Sequence, residues 1–497
     1  MNSYEKLEAR FRQVSHLEHI LGVVSWDEQV IMAPGAAIHR NAATAELVGL
    51  MENLLRAPEV GDWLKESESL SLDGVWQKAN LREMRRQYLR LTALPPDLSK
   101  RLVIARMNSE QEWRKLRGAN DWKSFEPILK NVISLTHEAI SAYQKHEGLS
   151  KYDTALALYS PGLNTLTVEK LFNQIKSFLP QMIQRVVEKQ KSEKVILPEG
   201  PFPTAAQKAL GLELMEAVGF SSSMGRLDEA FHPFSGGTHG DARITTRYNQ
   251  EEFISSLMGV LHETGHALYD QNLPVDWLTQ PVGASGGMAI HESQSLMLEM
   301  QVCRSREFMD FAGPLIRKHM LNHVKNPASI ENDNLTRLVT RVRPGFIRVD
   351  ADEVTYPAHV ILRFEIERDI LEDRWPLAEL PAVWNEKMKT YLGLSTLGDD
   401  KNGCMQDVHW PSGALGYFPA YTFGAVIAAQ LFAKMNESLP RVRGSISQGD
   451  FKPMQNWLRE NIWSQGAQLE TLDLIEQAAG PLSAEPFRKH LEARYLA

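Results

Sequence analysis

Apolar residues recur at steps of three and four positions along most of the chain, and this spacing limits the fold more than any other feature. Residues at those steps share one face of an α-helix, so the pattern predicts amphipathic helices. Clear examples are residues 168–190, 251–270 and 453–463. Alternation of period two is rare, and its best example is "DARITTRY" at 241–248. The chain is therefore predicted to be mainly α-helical with a small β element.

The 497 residues contain no repeat of fixed period, no low-complexity tract and no long linker. Hydrophobic residues make up 43% of the chain, which is enough for a sizeable core. We therefore predict a single domain over residues 1–497. The net charge of −8 and the pI near 6.1 argue against a general nucleic-acid binder.

Three features of the sequence indicate the cellular compartment of the protein. The two cysteines, Cys303 and Cys404, are too few for a disulfide framework and suit a reducing compartment. The first residues lack the continuous apolar core of a signal peptide. Residues 410–433 carry no charge, but prolines, glycines and polar residues interrupt them, which favours a buried helix over a membrane span. A cytoplasmic protein that does not enter the membrane is expected.

The stretch "VLHETGHALY" at 260–269 carries the strongest chemical signal. His262 and His266 are four residues apart, so on a helix they lie one above the other on the same face. Two imidazoles at this spacing can bind one zinc ion, and Glu263 then lies beside the water that zinc activates.

A hydrolytic zinc site needs a third protein ligand and an open position for water. The helical segment at 286–301 offers His291, Glu292 and Glu299. We predict Glu292, because a carboxylate in such an apolar segment needs a strong partner. His291 is then expected to support another ligand, and Glu299 or His291 is the alternative third ligand.

Several blocks of the sequence resemble the carboxypeptidase Taq family. After "HETGH" and "HESQS" the blocks are "DARIT" (241–245), "IRVDAD" (347–352), "GCMQDVHW" (403–410) and "GYFPAY" (416–421). The N-terminal "SWDEQVIMAPGAA" (25–37) and the C-terminal "AAGPLSAEPFRKHLEARY" (478–495) are similar as well, so the resemblance runs from one end of the chain to the other. One departure is "TYPAHVILRFE" (355–365), where the family more often has Asn-Leu before the histidine.

This resemblance implies a metal-dependent carboxypeptidase that releases single amino acids from peptides with a free C-terminus. It also implies a large helical zincin of the neurolysin and angiotensin-converting-enzyme type, with two helical halves on either side of a deep central groove. One zinc ion per chain is expected, with cobalt or manganese as the alternative metals. A homodimer is expected as well.

In the implied mechanism Glu263 is the general base, and it later delivers its proton to the leaving amine. His409, Tyr421 and Tyr417 are the expected donors to the oxyanion of the tetrahedral intermediate. For each of these three residues the alternative is a satisfied structural role.

The free C-terminal carboxylate calls for an arginine, whose planar fork can donate two hydrogen bonds to it. Arg348 and Arg243 are the candidates. The structural alternative for Arg348 is a pair with Asp350 or Asp352, and for Arg243 it is a pair with Asp241 on the same strand face.

The segment at 231–248 is expected to close one end of the groove, and its His232 and His239 are not expected to be ligands. Two other functions remain open on the sequence alone. One is an oligoendopeptidase or dipeptidyl carboxypeptidase on the same scaffold, which cleavage of a peptide blocked at both ends would indicate. The other is a catalytically inactive helical binding protein, against which the presence of Glu263 and all three ligands argues.

Overall fold

Helices account for most of the chain, as the apolar spacing predicts. The structure is a computed structural model that describes residues 1–230 and 234–497. Residues 1–230 contain nine α-helices: α1 (Ser3–Val30), α2 (Ala37–Arg56), α3 (Pro58–Glu68), α4 (Val75–Thr92), α5 (Pro96–Gly118), α6 (Trp122–Glu147), α7 (Lys151–Ala157), α8 (Thr165–Gln190) and α9 (Thr204–Ala217).

Residues 234–497 contain eleven more helices: α10 (Ile254–Gln271), α11 (Met288–Leu296), α12 (Arg306–Met320), α13 (Asn332–Val339), α14 (Tyr356–Leu371), α15 (Leu380–Leu392), α16 (Pro419–Ser438), α17 (Val442–Ser447), α18 (Lys452–Asn461), α19 (Thr471–Ala479) and α20 (Glu485–Tyr495). A π-helical segment, Met297–Cys303, continues directly from α11. Such segments are rare and occur often at functional sites.

A small three-stranded sheet lies beside α10 in the described part of the chain. Its strands are β1 (Gly225–Glu229), β2 (Ser235–Thr238) and β3 (Asp241–Thr246), in the order β1–β3–β2. β1 pairs with β3 in parallel and β2 pairs with β3 antiparallel. The strand predicted at 241–248 is confirmed in β3. The sequence of β2, Ser-Gly-Gly-Thr, has almost no strand propensity, so it was not predicted.

The N-terminal helices pack into a core of their own. α1 begins with a capping box, in which the side chains of Asn2 and Glu5 each accept a hydrogen bond from the other's backbone N–H. The apolar face of α1 packs against α2, α3 and α4 through the buried residues Leu7, Phe11, Val14, Leu55, Val60, Leu64 and Met84. The main core is separate and collects residues from Phe125 to Tyr495.

Two glycines allow the central helices to approach very closely. A Cβ at Gly265 of α10 would lie 2.5 Å from the backbone oxygen of Gln294 in α11, so these two helices meet backbone to backbone. A Cβ at Gly424 of α16 would lie 2.7 Å from Cγ of Glu292. The side chain of Glu292 is therefore confined between α10 and α16.

The uncharged stretch at 410–433 ends in α16, which is buried along most of its length. Among the described residues, no helix is both long enough and apolar enough to cross a bilayer. The expectation of one peptidase domain with two helical halves stays a prediction.

Candidate active site

Three side chains from two helices converge on one another. α10 presents His262 and His266 one turn apart, and α11 places Glu292 opposite them. Oε2 of Glu292 lies 4.0 Å from Nε2 of His262 and 3.5 Å from Nε2 of His266. In the part of the chain that the structure describes, this is the one group of at least three such side chains whose ligand atoms lie within 4.8 Å of one another.

The three side chains fit a divalent metal ion. Glu292 is only 6% exposed, and the two ring nitrogens near its carboxylate are too distant for short hydrogen bonds. A buried carboxylate of this kind needs a positive partner. Ligands at about 2.1 Å from a tetrahedral ion lie about 3.4 Å from one another, which is close to the separations found here.

A buried ion pair lies behind His262. Nδ1 of His262 is 2.9 Å from Oε2 of Glu299, and Arg304 donates a hydrogen bond of 2.6 Å to Oε1 of the same carboxylate. Burial alone would raise the pKa of Glu299, but Arg304 and His262 lower that pKa to about 2. Burial would lower the pKa of His262, yet Glu299 and Glu292 raise it to about 10 when no cation is bound.

His266 is supported by a second histidine instead, which in turn contacts the carboxylate of Asp270. Its Nδ1 faces Nδ1 of His291 at 2.6 Å, and Nε2 of His291 lies 3.1 Å from Oδ1 of Asp270. Two facing nitrogens form a hydrogen bond when one carries the proton and the other accepts it. If His266 binds a metal through Nε2, its Nδ1–H donates to His291, and Nε2–H of His291 donates to Asp270. Burial lowers the pKa of His266 to about 4, which favours the neutral ligand form.

Glu263 lies half-buried beside the three candidate ligands. Burial and the charge of Glu292 raise the pKa of its carboxyl to about 7, against the opposing effect of His262. A general base works best when its pKa lies near the working pH.

An aromatic cluster lies close to the ligands. Nε2 of His409 is 3.0 Å from the hydroxyl of Tyr421, and the rings of Tyr417 and Tyr421 are 5.3 Å apart. Burial lowers the pKa of His409 to about 3, so its imidazole is neutral. Burial raises the pKa of both tyrosines, and the charge of Glu292 raises these pKa values further. The phenols therefore keep their protons and can donate hydrogen bonds.

Arg348 is 5% exposed and is held by Asp407. Its Nε and Nη2 donate to Oδ1 of Asp407 at 3.0 and 2.9 Å, and its Nη1 donates to Tyr356 at 3.0 Å. The other oxygen of Asp407 accepts a hydrogen bond of 2.7 Å from Arg363. The guanidinium of Arg348 also lies 4.7 Å from the ring centroid of Tyr421.

The acidic partner of Arg348 is therefore neither Asp350 nor Asp352, the two structural alternatives. Two buried guanidinium groups share the single carboxylate of Asp407, so one positive charge is not balanced by that residue. This unbalanced positive charge lies next to the cluster of His409 and Tyr421.

Arg243 lies in β3, where its Nε and Nη2 donate to Asp241 at 2.9 and 2.6 Å. Its guanidinium also covers the ring of Trp26 at 4.5 Å. This is the local pair expected as the alternative to carboxylate binding. His239 lines a cavity of about 720 Å³ between α1, β2 and His291 and is not in the ligand group. His232 lies outside the described residues.

The family model of the carboxypeptidase Taq (M32) metallopeptidases matches residues 6–495. The chain belongs to this family. Thermostable carboxypeptidase 1 of Thermus thermophilus is 34% identical over 100% of this chain and 98% of its own length. Carboxypeptidase 1 of Bacillus subtilis is 32% identical over 100% of this chain and 97% of its own. The solved structure of Trypanosoma cruzi metallocarboxypeptidase 1 is 40% identical and matches with a TM-score of 0.96, covering 100% of this chain and 99% of that one.

As an M32 peptidase, the chain is a metallocarboxypeptidase, a peptide hydrolase that uses a divalent metal. The expected helical zincin fold with a small sheet is confirmed. The endopeptidase, dipeptidyl carboxypeptidase and inactive-protein alternatives are not favoured.

Sequence reasoning missed the charged partners of the M32 site. Asp407 lies inside the quoted block "QDVHW", so its two-residue spacing from His409 was a usable signal. Arg363 lies in "TYPAHVILRFE", where nothing marks it as buried. Arg304 follows the π-helical segment and carries no motif. Glu299 was considered only as an alternative third ligand.

Proposed function

We propose that this M32 peptidase removes single amino acids from peptide C-termini and that His262, His266 and Glu292 hold one zinc ion. The observation that carries the proposal is the convergence of these two imidazoles and one buried carboxylate at 3.5–4.0 Å. When bound, the ion would polarise a water molecule and the scissile carbonyl. Cobalt and manganese accept ligands of the same kind, so they are the alternative metals.

Glu263 is the proposed general base. It takes a proton from the attacking water and delivers it to the leaving amine. Its half-buried position beside the ligands and its raised pKa support this role. His409 and Tyr421 share one hydrogen bond, and together with Tyr417 they supply donors for the oxyanion, each worth about 3 kcal/mol.

Arg348 is the proposed receptor for the C-terminal carboxylate, with Arg243 as the second candidate. Arg348 lies beside the aromatic cluster in a place where two guanidinium groups share one carboxylate. A second carboxylate would balance that charge. Arg243 pairs with a carboxylate of its own, Asp241, and covers Trp26, so its charge is already balanced.

The metal-loaded variant Glu263→Gln tests the central role. We expect it to keep its metal and to lose at least about 10²-fold in kcat, the lower end of general-base effects. Glu292→Ala should instead lower the metal content, because a ligand is lost. Product analysis with unblocked peptides checks that single residues are released. Full activity in a metal-loaded Glu263→Gln variant, or cleavage of a peptide blocked at both ends, would contradict the proposal.

The role of Arg348 is tested by crossing enzyme variants with free-acid and amidated peptides. We expect Arg348→Ala to lower kcat/KM on the free-acid peptide by about 10²-fold, because a bidentate charge-assisted pair is lost. Arg348→Lys keeps the charge but not the fork, so it should rescue only in part. Amidated peptides should be poor substrates for every variant. Equal losses on both peptides would show a structural role and leave Arg243 as the receptor.

We also propose that the enzyme is a cytoplasmic homodimer. Cys303 and Cys404 are both buried and unpaired, which fits a reducing compartment. The dimer rests on the family resemblance alone. Light scattering on the eluting peak of a sizing column measures the mass directly, and a mass of one chain would contradict it.

A further inference from the structure

The π-helical segment Met297–Cys303 ends in carbonyl groups that receive their donors from a distant helix. The last turn of a helix leaves its carbonyl oxygens without partners inside that helix. Here the oxygens of Met300 and Gln301 accept hydrogen bonds from Nη1 and Nη2 of Arg494, the second of them at 2.9 Å. Arg494 lies in α20, 194 positions from Met300. Its positive charge also favours this end of the segment, because helix dipoles are negative there. α20 therefore caps the π-helical segment.

A buried carboxylate fixes the guanidinium of Arg494 in this place. Oε2 of Glu353 accepts hydrogen bonds from Nη1 of Arg494 at 3.0 Å and from Tyr495 at 2.8 Å. Oε1 of Glu353 lies 2.5 Å from Nε2 of His490. The side chain of Glu353 has no exposed surface. Burial would raise its pKa, but His490 and Arg494 lower that pKa well below its ordinary value. The carboxylate is therefore ionised and holds Arg494 against the π-helical segment.

The capped turn also carries the groups that stand behind His262. The carbonyl oxygen of Glu299 accepts a hydrogen bond of 3.2 Å from the backbone N–H of Arg304, five positions later, which is the pairing of a π turn. The side chains of the same two residues form the buried ion pair that contacts Nδ1 of His262. Arg494 binds the two carbonyl oxygens that directly follow Glu299. The orientation of the ion pair thus depends on a turn that Arg494 holds from outside.

We propose that Arg494 is a positioning residue for the metal site. It acts through the backbone, because it fixes the turn from which Glu299 and Arg304 reach His262. The two capped residues are buried, and buried carbonyl groups need donors. Without Arg494 the turn is expected to shift to another hydrogen-bond pattern, which moves the carboxylate of Glu299. The inference rests on the proposed role of His262 as a metal ligand.

Tyr495 provides a matched control for Arg494. It is the next residue of α20 and donates to the same carboxylate of Glu353, but among the described residues it makes no hydrogen bond to the π-helical segment. Arg494→Met and Tyr495→Phe each take one partner from Glu353. Both should therefore unfold more easily in urea when a chelator keeps the protein free of metal. Only Arg494→Met removes the cap, and it keeps the apolar part of the side chain.

The affinity for zinc separates a positioning role from a role in folding alone, and competition with a chromophoric chelator measures it. We expect Arg494→Met to bind zinc about fivefold more weakly. The effect is smaller than the 10- to 100-fold that is usual for a group directly behind a ligand, because Arg494 acts through Glu299. Arg494→Lys should be intermediate, since one ammonium group replaces a planar fork. Tyr495→Phe should bind zinc as the unmodified enzyme does. The absorption spectrum of the cobalt-loaded enzyme should change in Arg494→Met but not in Tyr495→Phe.

Equal zinc affinities in Arg494→Met and Tyr495→Phe would show that α20 only stabilises the fold, and would overturn the proposal. If Arg494→Met does not fold, Arg494→Lys takes its place in this comparison, with the same outcome overturning the proposal. His262→Ala separates this result from the proposed function. Zinc retained in His262→Ala would refute the ligand role of His262 itself. Zinc lost there, together with an unchanged affinity in Arg494→Met, would overturn the positioning role alone.

Discussion

His262 and His266 lie one turn apart on the same face of α10, but different groups stand behind them. Behind His262 is the ion pair of Glu299 and Arg304, whose side chains are 12% and 16% exposed. Behind His266 are His291 and Asp270, whose side chains are 17% and 27% exposed and line the cavity next to α1. One candidate ligand contacts a buried carboxylate directly, and the other reaches a more exposed carboxylate only through a second imidazole.

This difference has an energetic consequence. A buried ion pair is costly to break, because removal of one partner leaves an uncompensated charge away from water. A hydrogen-bonded chain that borders a cavity can replace a lost contact with water. Substitutions behind His262 should therefore lower both the free energy of unfolding and the affinity for the metal. Substitutions behind His266 should lower the metal affinity alone.

The largest effect is expected for Glu299→Gln. The change keeps the shape of the side chain but leaves Arg304 without its buried partner, so we expect a loss of about 3 kcal/mol in the free energy of unfolding. Metal affinity should fall by about 10- to 100-fold, as is usual when the group behind a ligand is lost. Urea unfolding in the presence of a chelator measures the first effect, and competition with a chromophoric chelator measures the second.

Glu307→Gln is the matched control for Glu299→Gln. Glu307 pairs with Arg443 at 3.1 Å, but both side chains are partly exposed. A change of less than about 0.5 kcal/mol is expected there. If the two variants lose the same free energy of unfolding, the buried ion pair behind His262 contributes no more than the exposed pair of Glu307 and Arg443. The comparison then fails.

The candidate metal ligands could be predicted from sequence, because two ligands on one helix must stand at a fixed spacing in the chain. The step of four positions from His262 to His266 makes about one helical turn, and the apolar surroundings of Glu292 require a partner for it. The dominance of helices followed from apolar periodicity in the same way. Strand β2 could not be predicted, since Gly236 and Gly237 have low strand propensity and only pairing with β3 orders them.

The partners of the site residues are distant in the chain and carry no periodic signal. Asp407 meets Arg348 across 59 positions and Arg363 across 44. For Arg348 the sequence offered only the neighbouring Asp350 and Asp352 as structural partners, beside the predicted role in binding the substrate carboxylate. Tertiary packing decides such pairs, so one sequence without the fold cannot choose among the available carboxylates.

Glu367 extends the comparison to a second buried carboxyl. Unlike Glu299, it is fully buried and its hydrogen-bond partners are neutral. It accepts hydrogen bonds from Tyr152 at 2.5 Å and from Trp410 at 3.2 Å. Burial raises the pKa of Glu367 to about 8, whereas Arg304 helps to lower the pKa of Glu299 to about 2. A raised pKa means that the stabilising contribution is complete below the unfolded pKa of about 4.3 and is lost as pH rises through the folded value.

Glu367→Gln should therefore gain stability relative to the unmodified protein, by on the order of 2 kcal/mol, as the pH rises from about 5 to 8.5. Unfolding by urea at several pH values measures the difference. Glu365→Gln on the same helix is the control. Lys176 and Lys387 outweigh burial and lower the pKa of Glu365, so its stabilising contribution is lost only at acidic pH and should be flat over this range. A flat difference for Glu367→Gln would show that its carboxyl is already ionised.

The smallest effect is expected for Asp270→Asn, on the His266 side of the comparison. The amide keeps a hydrogen-bonding oxygen for His291 but removes the charge that orients the chain His266–His291–Asp270. We expect metal affinity to fall by about tenfold, the low end for a residue behind a ligand, while the free energy of unfolding changes by less than about 0.5 kcal/mol. The same chelator competition and urea titrations used for Glu299→Gln measure both quantities, so the two variants are directly comparable. A loss of stability as large as that of Glu299→Gln would show that the charge of Asp270 contributes as much to folding as that of Glu299. An unchanged metal affinity would show that His291 orients His266 without help from Asp270.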